Sequence, residues 1–262
     1  MSEAKEDVQL HGPLYDMRAL GFEAGQVVTV TGAGSGIGKA TALAAATSGL
    51  GVAAWDINGD AAQITADEIA GLGGKALAIT VDVADPEGVA RAWDASLALG
   101  ECPYLVNNAG PPSNDEAPFL TNLERALGSV ELVTSQWLAR VGDRADSLVN
   151  LASVAGNFQG GGKTIQAFYP AAKTGITGYT RYLASKYDGK PRANAVAPGM
   201  TLTPRTVPFM QNPAIAENAR SIPVGRPGYP EELAAAILFL LSPAASYING
   251  VLLPVDGGWV VA

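Results

Sequence analysis

A glycine-rich turn between two apolar segments restricts the fold of this chain more than any other feature. Residues 27–30 read Val-Val-Thr-Val, residues 31–38 read Thr-Gly-Ala-Gly-Ser-Gly-Ile-Gly, and residues 41–48 are mostly alanine. β-Branched residues favour a strand, alanine favours a helix, and glycines permit a tight turn between them. A strand, a glycine turn and a helix in this order are typical of a site that binds nucleotide phosphates. No Gly-Lys-Ser/Thr sequence ends the turn, so a P-loop for nucleoside triphosphates is not predicted.

The same alternation of strands and helices continues to the end of the chain. Strands are predicted at residues 27–30, 51–55, 76–81, 104–107, 147–151, 192–196 and 251–255. Helices are predicted at residues 41–48, 58–72, 86–99, 123–141, 169–186 and 231–241. This alternation predicts an α/β fold with one doubly wound parallel sheet and helices on both of its faces. The 262 residues suit an N-terminal arm at 1–24 and a single domain at 25–262.

Composition excludes several classes of function. The formal net charge is −8 and no run of lysine and arginine occurs, which argues against nucleic acid and anionic membranes as partners. Cys102 is the only cysteine and His11 the only histidine, so neither a disulfide nor a His/Cys metal site is expected. A polar N-terminus and the lack of a long apolar run predict neither a signal peptide nor a membrane span. We therefore expect a cytoplasmic protein without a metal.

Asp56 stands at the end of the second predicted strand, beside the expected nucleotide site. A carboxylate at this position can accept hydrogen bonds from the adenosine ribose, and it would repel a 2′-phosphate. No Arg or Lys lies within the glycine turn to reverse that preference. The sequence thus favours NAD over NADP, with a simple helix N-cap as the alternative role of Asp56.

Two Tyr/Lys pairs with a spacing of four residues are candidates for acid–base chemistry. Tyr169 with Lys173 and Tyr182 with Lys186 each place a phenol and an ammonium on one helical face. A nearby cation stabilises phenolate, so we expect a phenol pKa below its ordinary value and a usable general acid. The two pairs are separated by about 220° around the helix axis, so only one can face a cofactor.

Seven segments in the same order resemble the short-chain dehydrogenase/reductase family, over residues 25–262. These are the glycine motif at 31–38, Asp82-Val83, Asn107-Asn108-Ala109-Gly110, Ser153, Tyr169 with Lys173, Pro198-Gly199, and Val255-Asp256-Gly257-Gly258. The resemblance implies a Rossmann-type fold and an NAD-dependent interconversion of secondary alcohols and ketones. It also implies a homotetramer or homodimer, and it selects Tyr169 over Tyr182.

The resemblance implies a role for each site residue. Tyr169 would transfer the proton, Lys173 would lower the tyrosine pKa and bind the nicotinamide ribose, and Ser153 would polarise the substrate oxygen. The cofactor-binding residues that it implies are Gly32, Ser35, Gly36, Ile37, Gly38, Asp56, Asp82, Val83, Asn108, Ala109, Gly110, Tyr169, Lys173, Pro198, Gly199 and Thr201.

One family feature is missing. The family usually carries a catalytic Asn in the helix before the serine strand, and Ala126 occupies that position here. Asn122 lies one helical turn earlier, about 5.4 Å along the axis. Asn122 could replace the usual Asn, the proton relay could use water and backbone alone, or Asn122 could simply start the helix.

The substrate side is less constrained by the sequence. Residues 200–230 contain six prolines and are predicted to form a substrate loop. The expected pocket wall consists of Val154, Phe158, Gln159, Met200, Val207, Phe209 and Met210. This mostly apolar set favours an uncharged cyclic, aromatic or steroid-like substrate. The alternatives are a reductase of acyl-thioester ketones and a catalytically silent NAD-binding module.

Overall fold

The computed structural model describes residues 12, 15, 17–160, 165–211, 217 and 219–262. His11, residues 161–164 of the glycine-rich segment after Ser153, and the side chain of Phe209 lie outside this description.

Seven strands form one fully parallel sheet, as predicted. The strands are β1 (Val27–Thr31), β2 (Gly51–Asp56), β3 (Ala76–Thr80), β4 (Tyr104–Asn107), β5 (Ser147–Leu151), β6 (Arg192–Pro198) and β7 (Leu252–Val255). Their order across the sheet is β3-β2-β1-β4-β5-β6-β7. The chain therefore leaves β1 towards one edge and returns to the other side of β1 at β4, which creates a crevice at the carboxyl ends of these two strands.

Helices cover both faces of the sheet. They are α1 (Gly36–Thr47), α2 (Gly59–Gly71), α3 (Pro86–Leu99), α4 (Phe119–Leu123), α5 (Ser129–Val141), α6 (Val154–Asn157), α7 (Phe168–Lys186) and α8 (Pro230–Leu241). Helices α1 and α8 pack on one face, with a core of alanine, valine and leucine. Helices α3, α5 and α7 pack on the other face, around Trp55, Trp93 and Trp137.

The predicted helix at 123–141 is the element that differs most from expectation. The helical segment begins earlier, at Phe119, and a π-helical turn at Glu124–Gly128 separates α4 from α5. A π turn holds one more residue than an α turn, so it shifts the face that each following residue presents. Hydrophobic periodicity alone does not reveal such a turn.

A buried arginine joins the start of β6 to the end of α8. Arg192 is 6% exposed, and its guanidinium donates hydrogen bonds to the carbonyls of Leu240 (2.8 Å), Leu241 (2.9 Å) and Ser242 (2.9 Å). Carbonyls at the end of a helix have no partner within the helix. Arg192 therefore caps α8 with a positive charge at the negative end of its dipole.

The predicted loop at 200–230 leaves and rejoins the body at one place. The amide of Gly228 donates to the carbonyl of Met200 at 2.9 Å, and the amide of Leu202 donates to the carbonyl of Gly228 at 2.8 Å. These bonds close the loop directly after β6. Its first turn consequently lies above the crevice at the carboxyl ends of the strands.

Candidate active site

Two loops meet in the crevice between β1 and β4. The hydroxyl of Thr31 accepts hydrogen bonds from the amides of Asn108 and Ala109, both at 3.0 Å. The side-chain amide of Asn108 donates to the carbonyl of Thr31 at 2.9 Å. The glycine turn and the loop after β4 are thus fixed against each other.

Close packing explains the last glycine of the turn. A Cβ on Gly38 would overlap the carbonyl oxygen of Gly32 and would lie 2.5 Å from the side-chain nitrogen of Asn108. Ser35 precedes α1 without forming a side-chain cap hydrogen bond. The free amides at the start of α1 therefore remain available to an anion, as the sequence predicts for a pyrophosphate.

Asp56 supports the turn as well as ending β2. One carboxylate oxygen accepts from the amide of Gly34 at 2.8 Å, and the other accepts from the amide of Asn58 at 2.9 Å. The N-cap of α2 is Asn58, which accepts from the amide of Ala61. The alternative role of Asp56 as the cap of that helix is therefore wrong.

The three expected catalytic side chains line one cleft. Ser153 precedes the short helix α6, and its hydroxyl accepts from the amide of Ala155 at 3.1 Å. The ammonium of Lys173 donates to the carbonyl of Leu151 at 2.6 Å and lies 5.6 Å from the centre of the Tyr169 ring. All three share the cleft with the glycine turn. The spacing of four residues on α7 therefore directs both functional groups to the end of β5.

Burial dominates the ionisation of this pair. It raises the pKa of Tyr169, although a hydrogen bond with Ser153 and the charge of Arg205 oppose the rise. It lowers the pKa of Lys173 to about 8, and the charge of Arg205 adds to this effect. The expectation that Lys173 brings the phenol pKa below its ordinary value is wrong in direction, because both charged forms lose hydration.

A chain of buried amides and hydroxyls aligns the helix that carries the pair. The side-chain amide of Asn107 donates to Thr134 on α5 and to Asn150 on β5, both at 2.9 Å. Asn150 in turn donates to Thr180 on α7 at 2.9 Å. These bonds fix α7 against β4 and β5, and so fix the position of Tyr169.

The second Tyr/Lys pair points away from the cleft, as predicted. The ammonium of Lys186 donates to the hydroxyl of Tyr182 at 2.6 Å, and the Tyr182 side chain is 50% exposed. It is thus the surface pair, not the cleft pair, in which phenol and ammonium are directly bonded. A direct bond at this spacing does not by itself indicate catalysis.

Comparison with known proteins decides the family. A family model described as Enoyl-(Acyl carrier protein) reductase matches residues 32–260. Cyclohexanol dehydrogenase of Acinetobacter sp. (strain SE19) is 38% identical over 247 residues, which cover 89% of this chain and 94% of that protein. The chain is a short-chain dehydrogenase/reductase. The 3-oxoacyl-(acyl-carrier-protein) reductase FabG of Thermotoga maritima is 34% identical over 249 residues, covering 90% of this chain and 98% of that protein.

Solved structures of short-chain dehydrogenase/reductases share the fold closely. A 7α-hydroxysteroid dehydrogenase complexed with NADH and 7-oxo glycochenodeoxycholic acid has a TM-score of 0.82 and 32% identity, covering 93% of this chain and 97% of that one. A candidate gluconate 5-dehydrogenase from Beutenbergia cavernae, with bound NADP, has a TM-score of 0.84 and 36% identity, covering 93% and 99%. The chain is therefore an oxidoreductase, and its neighbours bind nicotinamide cofactors of both kinds.

Most residues expected to bind the cofactor of this short-chain dehydrogenase/reductase border the cleft. These are Gly32, Ser35, Gly36, Ile37, Asn108, Ala109, Gly110, Tyr169, Lys173, Pro198, Gly199 and Thr201. Gly38, Asp56, Asp82 and Val83 are not among the lining residues. Gly38 lies beneath the turn, Asp56 is bonded to it, and Asp82 and Val83 follow β3 at the edge of the sheet. The cleft beside the glycines and the amides at the start of α1 fit a dinucleotide.

Asn122 does not start a helix, and its side-chain amide donates to the loop before α4 rather than to the catalytic pair. It is fully buried in α4, and its side-chain amide donates to the carboxylate of Asp115 at 2.9 Å and to the carbonyl of Ala117 at 3.2 Å. The interpretation as a helix start is wrong, because α4 begins three residues earlier. Asn122 fixes the loop before α4, while Ala126 lies in the π turn and packs against α7.

The expected apolar wall is mostly not the wall of the cleft. Met200 lines the cleft, whereas Phe158 lines a separate groove with Thr174 and Leu252. Phe158 leaves the cleft because α6 is a single irregular turn that carries it past α7. The sequence reasoning also missed Thr203, Arg205 and Thr206, which do line the cleft. Their only sequence signal was a position within the predicted loop.

The described residues include neither a candidate metal site nor a candidate membrane-spanning helix. No group of three or more His, Cys, Asp or Glu side chains in that part of the chain could hold a metal ion. None of its helices is both long and apolar enough to cross a membrane.

Proposed function

We propose that this protein is an NAD-dependent oxidoreductase that interconverts a secondary alcohol and a ketone. The observation that carries the proposal is the convergence of Ser153, Tyr169 and Lys173 on one cleft beside the glycine turn. Ser153 orients the substrate oxygen, and Tyr169 donates its proton to that oxygen in reduction and takes it back in oxidation. Lys173 binds the nicotinamide ribose. A bound nicotinamide supplies or accepts the hydride.

Asp56 supports NAD as the preferred cofactor. Its carboxylate lies at the end of β2, where a 2′-phosphate on the adenosine ribose would meet a negative charge. Both of its oxygens already accept from backbone amides, which holds the carboxylate in place. Each oxygen retains a further lone pair for a ribose hydroxyl.

Two of the similar proteins support a cyclic carbon skeleton in the substrate. One relative is named for cyclohexanol and a structural neighbour for a hydroxysteroid. Both substrates carry a secondary hydroxyl on a saturated ring, in agreement with the expected cyclic or steroid-like alcohol. The expectation of an uncharged substrate is not supported by the lining of the cleft, because the cation of Arg205 favours a negatively charged group there.

Two other functions, an acyl-thioester ketone reductase and a silent NAD-binding module, have less support. The FabG relative favours an acyl-thioester ketone reductase. Asp56 and the net charge of −8 argue against it, because such enzymes commonly use NADP and bind an acidic carrier protein. A silent NAD-binding module has Ala126 as its only support, and the presence of Ser153, Tyr169 and Lys173 opposes it.

The two tyrosines of α7 provide a matched test of the proposal. Tyr169→Phe should lower kcat by about 100-fold or more, because it removes the proton donor, and should preserve NADH binding. Tyr182→Phe removes the same atom at the same spacing on the surface and should leave kcat unchanged. NADH fluorescence measures binding, and turnover is measured on a panel of cyclic ketones. Loss of activity in Tyr182→Phe alone would refute the assignment, and NADH binding without any wild-type turnover would favour the silent module.

We also propose a cytoplasmic homotetramer, or a homodimer, with no nucleic-acid or membrane partner. The family resemblance implies that α5, α7 and β7 would form the subunit interfaces. The exposed Tyr182 and the half-buried β7 are compatible with such contacts. Light scattering coupled to size-exclusion chromatography measures the assembly.

A further inference from the structure

The cleft carries an unbalanced positive charge. Lys173 and Arg205 line it, and none of the described residues that line it is Asp or Glu. The whole chain has a net charge of −8, so this site differs in sign from the rest of the molecule. A concave site that carries charge of one sign attracts ligands of the opposite charge.

The two cations are not equivalent. Lys173 is 9% exposed, and its ammonium is bonded to the carbonyl of Leu151. Arg205 is exposed, and its only close polar contact in the described structure is one guanidinium nitrogen at 3.4 Å from the carbonyl of Gly110. No ion pair joins Arg205 to a carboxylate within the described residues. A guanidinium has five N–H donors, so most of its capacity is unused.

The backbone that carries Arg205 is held firmly above the cleft. The hydroxyl of Thr206 donates to the carbonyl of Thr201 at 2.5 Å and accepts from the amide of Thr203 at 2.9 Å. Thr203 itself packs over Gly36, within 3.1 Å of the place where a Cβ would stand. These contacts fix the turn at Arg205, so the guanidinium is presented with little loss of backbone freedom on binding.

The position of Gly110 indicates which end of the cleft Arg205 reaches. The loop after β4 begins at Asn108, beside the glycine turn, and its Ser113 carbonyl accepts from the amide of Gln166 at 2.8 Å, just before α7. Gly110 lies between these two points. The charge of Arg205 is felt at Tyr169, where it opposes the rise in the phenol pKa. Arg205 therefore lies close enough to Tyr169 to act at the reacting end of the cleft that both residues line.

We propose that Arg205 binds a carboxylate on the substrate, so that the preferred substrate is a cyclic hydroxy acid or keto acid. The proposal rests on the function proposed above and names its substrate class. The planar guanidinium matches a carboxylate in a bidentate geometry. The acid group would lie across the ring from the oxygen that Ser153 and Tyr169 hold.

Kinetics with matched ketones test this proposal. The probes are 4-oxocyclohexanecarboxylate and its amide, which share size and differ in charge. The wild-type protein should show kcat/KM about 10- to 100-fold higher for the acid, the range expected from charge-assisted hydrogen bonds. Arg205→Gln should remove this preference, because it should lower kcat/KM for the acid about 10- to 100-fold more than kcat/KM for the amide. Arg205→Lys should keep part of the preference for the acid, because lysine retains the positive charge but not the planar bidentate geometry of the guanidinium.

Controls separate this role from others. Arg91→Gln makes the same change of charge on the surface of α3, where the Arg91 side chain is 69% exposed, and should keep the acid preference. A wild-type protein that reduces acid and amide equally would overturn the proposal, and so would an Arg205→Gln variant that loses both substrates in parallel or loses NADH affinity.

Binding to the NADH complex distinguishes failure of this proposal from failure of the proposed function. Quenching of NADH fluorescence in the complex of the Tyr169→Phe variant, which lacks the proton donor, gives the affinity of both probes without turnover. Tighter binding of the acid that depends on Arg205, without turnover of any ketone by the wild-type protein, would refute the oxidoreductase function and support the carboxylate site. Equal binding of acid and amide, with turnover of both, would refute the carboxylate site alone.

Discussion

Replacing Arg192 by methionine should destabilise the protein by about 3–5 kcal/mol. Three carbonyls at the end of α8 accept hydrogen bonds from this guanidinium at 2.8–2.9 Å, and the side chain is 6% exposed. A buried acceptor left without a donor costs about 1–3 kcal/mol, and water can reach some of the three after the change. Burial also lowers the pKa of Arg192, because it removes water from the charged guanidinium. The methionine variant avoids this desolvation cost, which offsets part of the destabilisation.

Urea unfolding at fixed protein concentration measures this effect. Trp55, Trp93 and Trp137 are fully buried and report unfolding by fluorescence. The midpoint should fall while the slope with urea stays constant, and the melting temperature should fall by about 6 °C or more. The urea midpoint of Arg192→Lys should lie between those of the wild-type protein and Arg192→Met, since an ammonium can donate to only some of the three carbonyls.

A second Arg→Met change serves as the control. Arg140 forms a surface ion pair with Asp94 at 3.4 Å, and Arg140→Met should cost less than about 1 kcal/mol. If Arg192→Met were no more destabilising than Arg140→Met, the carbonyls of α8 would not depend on the guanidinium. The cap described for α8 would then have to be abandoned.

Three further outcomes follow from the site. Gly38→Ala should abolish NADH binding measured by fluorescence, because its methyl group has no room, whereas Gly178→Ala on the open face of α7 should bind NADH normally. Arg205→Gln should move the pH profile of alcohol oxidation to higher pH, because the charge of Arg205 lowers the pKa of Tyr169 and its loss makes the phenolate form only at higher pH. A kcat profile from pH 6 to about 10 would measure this, and no shift would contradict it. Asp56→Ala should lower the ratio of kcat/KM with NADH to kcat/KM with NADPH by about 10-fold or more, as measured by reduction of one ketone with each cofactor.

The sheet was predictable because its determinants are local. Each strand is a short apolar run bounded by glycine, proline or a polar residue, and parallel strands buried on both faces show this pattern. The glycine turn was equally local, since Gly38 is required by contact with Gly32 only six residues away in the same turn. The spacing of Tyr169 and Lys173 indicated a catalytic pair only in combination with Ser153, which precedes them in the sequence.

The features that escaped prediction depend on contacts between distant segments. The π turn at Glu124–Gly128 places Ala126 against α7, and helical periodicity does not record that contact. The raised pKa of Tyr169 arises from its burial, which outweighs the hydrogen bond with Ser153 and the charge of Arg205. Arg205 reaches the cleft because Thr206 folds its turn back on Thr201, and the loop composition gave no sign of this.

The Asp56 carboxylate accepts hydrogen bonds from two backbone amides, and this limits how the protein can evolve. One carboxylate both faces the expected ribose and fastens Gly34 to β2. A change of coenzyme preference at this position therefore also removes a brace from the phosphate-binding turn. Any descendant that exchanges Asp56 for a neutral or basic residue must supply a new acceptor for the Gly34 amide. If the proposed role of Asp56 is correct, a single substitution there would change both the coenzyme preference and the rigidity of the turn.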